Sequence, residues 1–226
     1  MREVENDIAS NLAAVRERIT AAAHRAGRDP AEVTLVAVTK TVPALRIAEA
    51  LAAGAVDIGE NRAQELLEKA PLLAAGPVAP CWHFVGALQR NKVKALVPWV
   101  SLWESVDRES LGMELARRSP GASVLVEVNM AGETAKAGCA PDAAPALTDA
   151  LRAAGLVVEG LMTVPPVGDP PRQWFAQLAG LAARLDVREL SMGMTDDFEV
   201  AIEEGATIVR VGRAIFGRRS LPGVRG

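Results

Sequence analysis

A chain of 226 residues, half of them hydrophobic, is long enough to build one sizeable core and short for two. A net charge of −3 and a pI near 5.6 argue against a nucleic-acid surface, and no apolar run nears the ~20 residues of a membrane span. Cys81 and Cys139 make no disulfide framework and the charged N-terminus has no apolar signal segment, so cytoplasmic residence is expected.

Ile8, Leu12, Val15 and Ile19 recur at helical spacing and predict an amphipathic N-terminal helix. The run LVAVT (35–39) predicts a first strand, with Pro43 and Gly54 at the start and end of the helix after it. VDIG (56–59), HFVG (83–86), SLWES (101–105) and VLVEVN (124–129) predict strands two to five. Pro141 and Gly155 frame another helix. VVEGLMTV (157–164) predicts strand six and PVGDPP (166–171) the loop at its end. ELSMG (189–193) predicts strand seven, and Asp196 is expected to cap the helix DFEVAIEE, with Gly205 past its end. IVRVG (208–212) predicts strand eight. Few of these runs alternate in polarity, as suits parallel strands buried on both faces. Repeated strand–helix units of this length predict an α/β fold: one (β/α)8 TIM-type barrel with an additional N-terminal helix, a single domain over residues 1–226. An open doubly wound sheet competes, but no GxGxxG follows the first strand.

In such a barrel the active site lies at the C-terminal strand ends. Polar residues and glycines of this chain gather there. Lys40 follows strand one, Gly59, Glu60 and Asn61 follow strand two, and His83 and Gly86 bracket strand three. Glu104 and Ser105 end strand four, Asn129 strand five and Thr163 strand six. Ser191 and Gly193 end strand seven, Arg210 and Gly212 strand eight.

Lys40 is one of five lysines beside 20 arginines. It reads either as a lysine snorkelling out of the core or as a Schiff-base lysine, whose pKa falls in apolar surroundings so that neutral amine can attack an aldehyde. The glycine turns Ser191-Met-Gly193 and Val211-Gly212-Arg213 follow the last two strands, where this fold often binds phosphate; each could equally be a tight turn and no more. A Schiff-base lysine facing a phosphate clamp describes pyridoxal 5′-phosphate (PLP). Arg210, inside a strand, needs a partner if buried. That partner is an acid such as Glu127 or Glu159, or the pyridine nitrogen of the cofactor. A permanently protonated guanidinium would leave that nitrogen unprotonated and weaken its electron sink.

Taken together, AVTKTVP (37–43), IGENRAQE (58–65), HFVGALQRNK (83–92), NMAGETAKAG (129–138), GLMTV (160–164) and SMGMTDDFEVAIEEGATIVRVGRAIFG (191–217) resemble the YggS/PROSC family of pyridoxal phosphate homeostasis proteins. That family is related in fold to the N-terminal barrel of alanine racemase, and the resemblance covers about residues 5 to 218. It implies PLP on Lys40, phosphate contacts from Ser191, Gly212 and Arg213, Arg210 near the pyridine nitrogen, and Asn61 near the cofactor. Three positions depart from the family pattern. Val42 replaces a frequent second lysine, Arg213 replaces a frequent Ser or Thr, and Thr195 stands where Ser is common.

A racemase of this barrel type resembles a two-base machine, with a tyrosine opposite the lysine and a second domain nearby. This sequence has no tyrosine and ends at Gly226, soon after strand eight. His83 could serve as a base, but a structural or cofactor-contacting histidine is the preferred reading. The expectation is a monomeric protein that holds, buffers or delivers PLP in vitamin B6 and amino-acid homeostasis without major turnover. Its transient partners would be PLP-dependent apo-enzymes. The alternative is a low-activity PLP-dependent amino-acid racemase. Lys92 and Lys136 read as surface lysines or as secondary PLP sites.

Overall fold

The structure, a computed structural model, describes residues 7–217, so both ends of the expected 1–226 domain lie outside the described residues. Eight parallel strands close in sequence order: β1 (Thr34–Val38), β2 (Asp57–Glu60), β3 (Cys81–Phe84), β4 (Val100–Val106), β5 (Ser123–Glu127), β6 (Val157–Met162), β7 (Glu189–Ser191) and β8 (Ile208–Val211). β8 pairs back onto β1 through Thr34↔Ile208 to Ala37↔Val211, which leaves no free edge. The barrel expected from the sequence is therefore present, and the open sheet is not.

The helices are α1 (Ile8–Arg25), α2 (Ala44–Ala52), α3 (Ala63–Ala74), α4 (Val93–Leu96), α5 (Glu109–Arg118), α6 (Ala144–Ala153), α7 (Arg172–Leu185), α8 (Phe198–Glu203) and α9 (Arg213–Phe216). α1 is the additional N-terminal helix. Asp7 caps it by accepting from the Ala9 N–H, and Ile8, Leu12, Val15 and Ile19 are buried along one face. That face packs on α8 and α9, and the Arg18 guanidinium lies 4.4 Å from the Phe198 ring centroid.

Period-two alternation divides the strand side chains between two cores. Val209 and Val211 of β8 face the helices, as do Trp82 and Phe84 of β3 and Trp103 of β4. The apolar part of the barrel interior is small: Val36, Leu102, Leu125, Met162 and Ile208. The inward positions His83, Glu104, Ser191 and Arg210 are polar, and all four are buried. So most of the apolar burial that stabilises this fold lies between strands and helices. The rest of the described interior is given over largely to polar groups.

Most strand boundaries move by one or two residues from the sequence expectation, and two differences bear on the site. β3 begins at Cys81, so His83 lies within the strand, because Cys81 and Trp82 pair with Asp57 and Ile58 of β2. α8 is preceded by Asp197, not capped by Asp196. The Asp197 carboxylate accepts from the Met194 N–H at 2.5 Å, while Asp196 is exposed and pairs with Arg213.

Candidate functional site

The inward polar side chains form a continuous chain across the barrel. His83 Nε2 lies 3.2 Å from Asp57 Oδ1, and His83 Nδ1 lies 2.6 Å from Glu104 Oε1. Ser191 Oγ donates to Glu104 Oε2 at 2.5 Å and accepts from Arg210 Nη1 at 2.5 Å. Arg210 Nη2 donates to the Thr163 carbonyl at 2.9 Å. β2, β3, β4, β7 and β8 each contribute one side chain, and the residue after β6 contributes its carbonyl. Burial pulls the His83 pKa down, but hydrogen bonds to Asp57, Cys81 and Glu104 and the Glu104 charge prevail and raise it to about 11. The same His83 hydrogen bond holds Asp57 below the usual carboxylate range.

Arg210 is buried, which lowers its pKa against the opposing charges of Glu104, Glu127 and Asp197. A direct ion pair with Glu127 or Glu159 is absent among the described residues. The guanidinium instead donates to Ser191 and Thr163, because these lie beside it at the ends of β7 and β6. Glu127 Oε2 is buried without a hydrogen-bond partner. Its pKa is raised to about 7, first by burial and then by the Asp107 charge, against the pull of Arg210.

Lys40 sits at the C-terminal mouth, two residues beyond β1. It is exposed, so the apolar surroundings expected for it are not found: β1 ends at Val38, and the chain turns at Thr39–Thr41 with Thr39 buried beneath. The turn is held from below. Lys69 Nζ on α3 donates to the Thr39 carbonyl at 2.8 Å, to Glu60 Oε1 at 2.5 Å and to Glu65 Oε2 at 2.8 Å. Thr39 Oγ1 donates to Glu60 Oε1, and the Thr41 N–H donates to Glu65 Oε2 at 2.6 Å. Thr41 has φ +64°, a left-handed conformation costing a β-branched residue about 1–2 kcal/mol. Burial raises the Glu60 pKa; Lys69 and Thr39 oppose it. Burial acts the same way on Glu65, but there Lys69, the Thr41 N–H and Arg62 prevail and lower the pKa.

The other rim residues surround this turn. Val38 is paired with Gly59 of β2, and a Cβ on Gly212 would lie 3.0 Å from the Val38 carbonyl oxygen. Asn61 follows β2, and its Oδ1 is buried with no hydrogen-bond partner. Gly86 lets the chain after β3 lie on Asn61, since a Cβ there would come within 2.2 Å of the Asn61 carbonyl oxygen. Gly193 has φ +92°, and a Cβ there would meet Ala201 and Phe198 of α8. Gly212 precedes α9, whose first N–H groups, those of Arg213 and Ala214, lack intrahelical acceptors as at any helix start. The Arg213 side chain points away to Asp196, so its contribution to an anion is confined to the backbone.

Lys40, Asn61, Gly212 and Arg213 thus share one rim, with Arg210 and Ser191 beneath it. His83 belongs to the polar chain, and both its nitrogens face carboxylates. The Ser191 hydroxyl is committed to Glu104 and Arg210, so it is not a spare phosphate donor. Lys136 is not a plain surface lysine: it donates to the Pro165 carbonyl at 2.9 Å and pairs with Glu133. Lys92 is exposed. Sequence reasoning missed Lys69 and Glu65, although their i, i+4 spacing on a helix was visible, and missed Asp57 and the joining role of Glu104.

A charged interior, an exposed lysine at the rim after β1, an unsatisfied amide oxygen after β2 and paired glycine turns fit an anionic aldehyde cofactor. The family model "Alanine racemase, N-terminal domain" matches residues 10–220. The chain is 45% identical to the pyridoxal phosphate homeostasis protein of Pseudomonas aeruginosa over 222 residues, covering 94% of this chain and 96% of that one. It is 39% identical to the protein of the same description from Escherichia coli K12, covering 95% and 97%. Among solved structures it is similar to PipY of Synechococcus elongatus with PLP bound, at a TM-score of 0.82 and 34% identity, covering 93% of this chain and all of that one.

Proposed function

Because the chain belongs to the alanine racemase N-terminal-domain family, and within it to the pyridoxal phosphate homeostasis proteins, we propose that it binds PLP at the barrel mouth and acts in intracellular PLP and amino-acid homeostasis without major turnover. The observation that carries this reading is the convergence of Lys40, Asn61 and Gly212 on one rim above the buried Arg210.

Bound PLP supplies an aldehyde that Lys40 can hold as a Schiff base, and a pyridine ring that can withdraw electrons. Asn61 lines the cofactor, with its unsatisfied Oδ1 free to accept a hydrogen bond. Backbone N–H groups at Gly212 and Arg213 would hold the phosphate. Arg210 would donate to the pyridine nitrogen. A guanidinium keeps its proton, so the nitrogen stays unprotonated and the ring is a weak electron sink. Ser191, Glu104 and Thr163 lock that guanidinium in orientation. His83 supports this arrangement from one layer away and does not serve as a base, since both its nitrogens are engaged by carboxylates.

Holding the cofactor at an exposed lysine suits release to PLP-dependent apo-enzymes in the cytoplasm. Among the described residues no helix is long and apolar enough to cross a membrane. Borohydride reduction of the PLP-loaded protein followed by peptide mass spectrometry tests the attachment. Chiral analysis of an amino-acid panel tests the absence of turnover. Fast racemisation of any one amino acid would replace this reading with the racemase.

A further inference from the structure

A second cluster of donors lies at the opposite end of the barrel from Lys40. Asp57 opens β2, Cys81 opens β3, and the ladder sets them directly across from each other. His83 is two residues beyond Cys81, so the pleat turns both side chains to the same inward face. Asp57 Oδ1, Cys81 Sγ and His83 Nε2 all lie within 4.8 Å of one another. The His83 Nε2 distances are 3.2 Å to Asp57 Oδ1 and 3.9 Å to Cys81 Sγ. Around a tetrahedral ion with Zn–N near 2.0–2.1 Å and Zn–S near 2.3 Å, neighbouring ligand atoms stand roughly 3.4–3.6 Å apart. The two His83 distances bracket that value, and with Asp57 Oδ1 and Cys81 Sγ within 4.8 Å of each other, side-chain shifts of up to about an ångström close the set.

From this arrangement we infer that Asp57, Cys81 and His83 form a zinc site at the N-terminal end of the barrel. Three features beyond proximity support it. The donors are one thiol, one imidazole and one carboxylate, a borderline set that suits zinc better than the harder magnesium or calcium. The far nitrogen of His83 meets Glu104 at 2.6 Å, the carboxylate–histidine pairing that orients a metal-bound imidazole. Glu104 is itself fixed by Ser191. Third, the site can be reached: the Asp57 side chain is 31% exposed and lines a cavity of about 420 Å³ with Arg16, Thr34 and Val56. Three protein ligands and this opening leave a fourth position to water.

Binding exchanges protons for the metal. The Cys81 thiol proton and the Nε2 proton of His83 leave to solvent, and the Nδ1 proton stays on the bond to Glu104. In the metal-free protein the Nε2 proton bridges His83 to Asp57, so zinc competes with an ordinary imidazolium–carboxylate pair.

Cobalt(II) titration of the chelator-treated full chain tests the site. One equivalent per chain should give intense tetrahedral visible bands and a thiolate-to-metal band in the near ultraviolet, both removed by zinc. Cys81→Ser should abolish the thiolate band and weaken binding at least ten-fold, and Cys139→Ser should leave both intact. Asp57→Asn, which retains both thiols, should also weaken binding at least ten-fold. If Cys81→Ser fails to fold, peptide mapping of iodoacetamide alkylation in the wild-type chain replaces it, and zinc should then protect Cys81 and not Cys139. A missing thiolate band at saturating cobalt, its loss in Cys139→Ser, or alkylation of Cys81 unaffected by zinc overturns the assignment and leaves a histidine–carboxylate pair. No arm of the test involves PLP.

Discussion

Lys69 Nζ donates to the carbonyl oxygen of Thr39, the residue immediately before Lys40, at 2.8 Å. The same ammonium reaches Glu65, whose carboxylate accepts from the N–H of Thr41, the residue immediately after. One buried ion cluster therefore grips the chain on both sides of the rim lysine.

Removing the centre of that cluster should be expensive. Lys69→Met leaves Glu60 buried without its cation, and breaking a buried pair in this way costs about 3–5 kcal/mol. Denaturant unfolding should show that loss. The double variant Glu60→Gln/Lys69→Met should recover part of it, since no orphan charge remains. At equal folded fraction, PLP trapping on Lys40 should fall in Lys69→Met and return partly in Lys69→Arg. Trapping that tracks only the folded fraction would mean the cluster supports the fold and not the position of Lys40.

Lys40→Ala should change stability little, because the residue is exposed and surface substitutions lie mostly within about 0.5 kcal/mol. Its borohydride-stable adduct should vanish. An adduct persisting at another lysine, Lys92 or Lys136 being the ones to inspect, would move the attachment point.

Arg210→Glu should shift the absorption of bound PLP, because a carboxylate favours a protonated pyridine nitrogen where a guanidinium does not. The substitution also places a fourth acid near Glu104, Glu127 and Asp197, so it should destabilise strongly. The spectrum is therefore read on folded, PLP-loaded protein. An unaltered spectrum would show that residue 210 does not touch the ring.

Glu127 gives a pH signature. Its pKa is raised in the folded protein from 4.5 to about 7, so the folded state binds the proton more tightly than the unfolded chain does. Its contribution to stability is fully present below pH 4.5 and is lost as pH rises to about 7. The shift corresponds to about 3 kcal/mol at most. Glu127→Gln should stabilise the protein at pH 8 by up to that order and change little at pH 4.5, read from unfolding midpoints at the two pH values. Equal effects at both would mean that the fold does not raise the pKa of Glu127.

The barrel was legible because each strand is a short apolar run with its own helix punctuation, and its closure follows from repeating that unit around one core. The rim was legible too, since Lys40, Asn61 and Gly212 each stand just past a strand end. The surroundings of Lys40 were not. A run such as LVAV suggests burial, but whether the following residue stays inside depends on where the chain turns, and that is set by Lys69 and Glu65 some 25 to 29 residues on. The partners of Arg210 were equally hidden. Acids inside strands can be counted along the sequence, but the shear of the barrel decides that Ser191 stands between Arg210 and Glu104. Both aspartates of the pair suit a cap in the sequence; the turn puts Asp197 at the N-cap position, with its carboxylate accepting from the Met194 N–H and not from the helix.

The polar chain from Asp57 to Thr163 also bears on how this sequence can drift. Each inner member has its hydrogen-bonding groups turned to neighbours on other strands, so replacing one orphans another in a water-poor interior, at about 1–3 kcal/mol per unsatisfied group. Substitutions along it are therefore coupled rather than additive. Viable descendants should change these positions in sets, with His83, Glu104, Ser191 and Arg210 inherited together, while the apolar shell outside the strands exchanges its members one at a time.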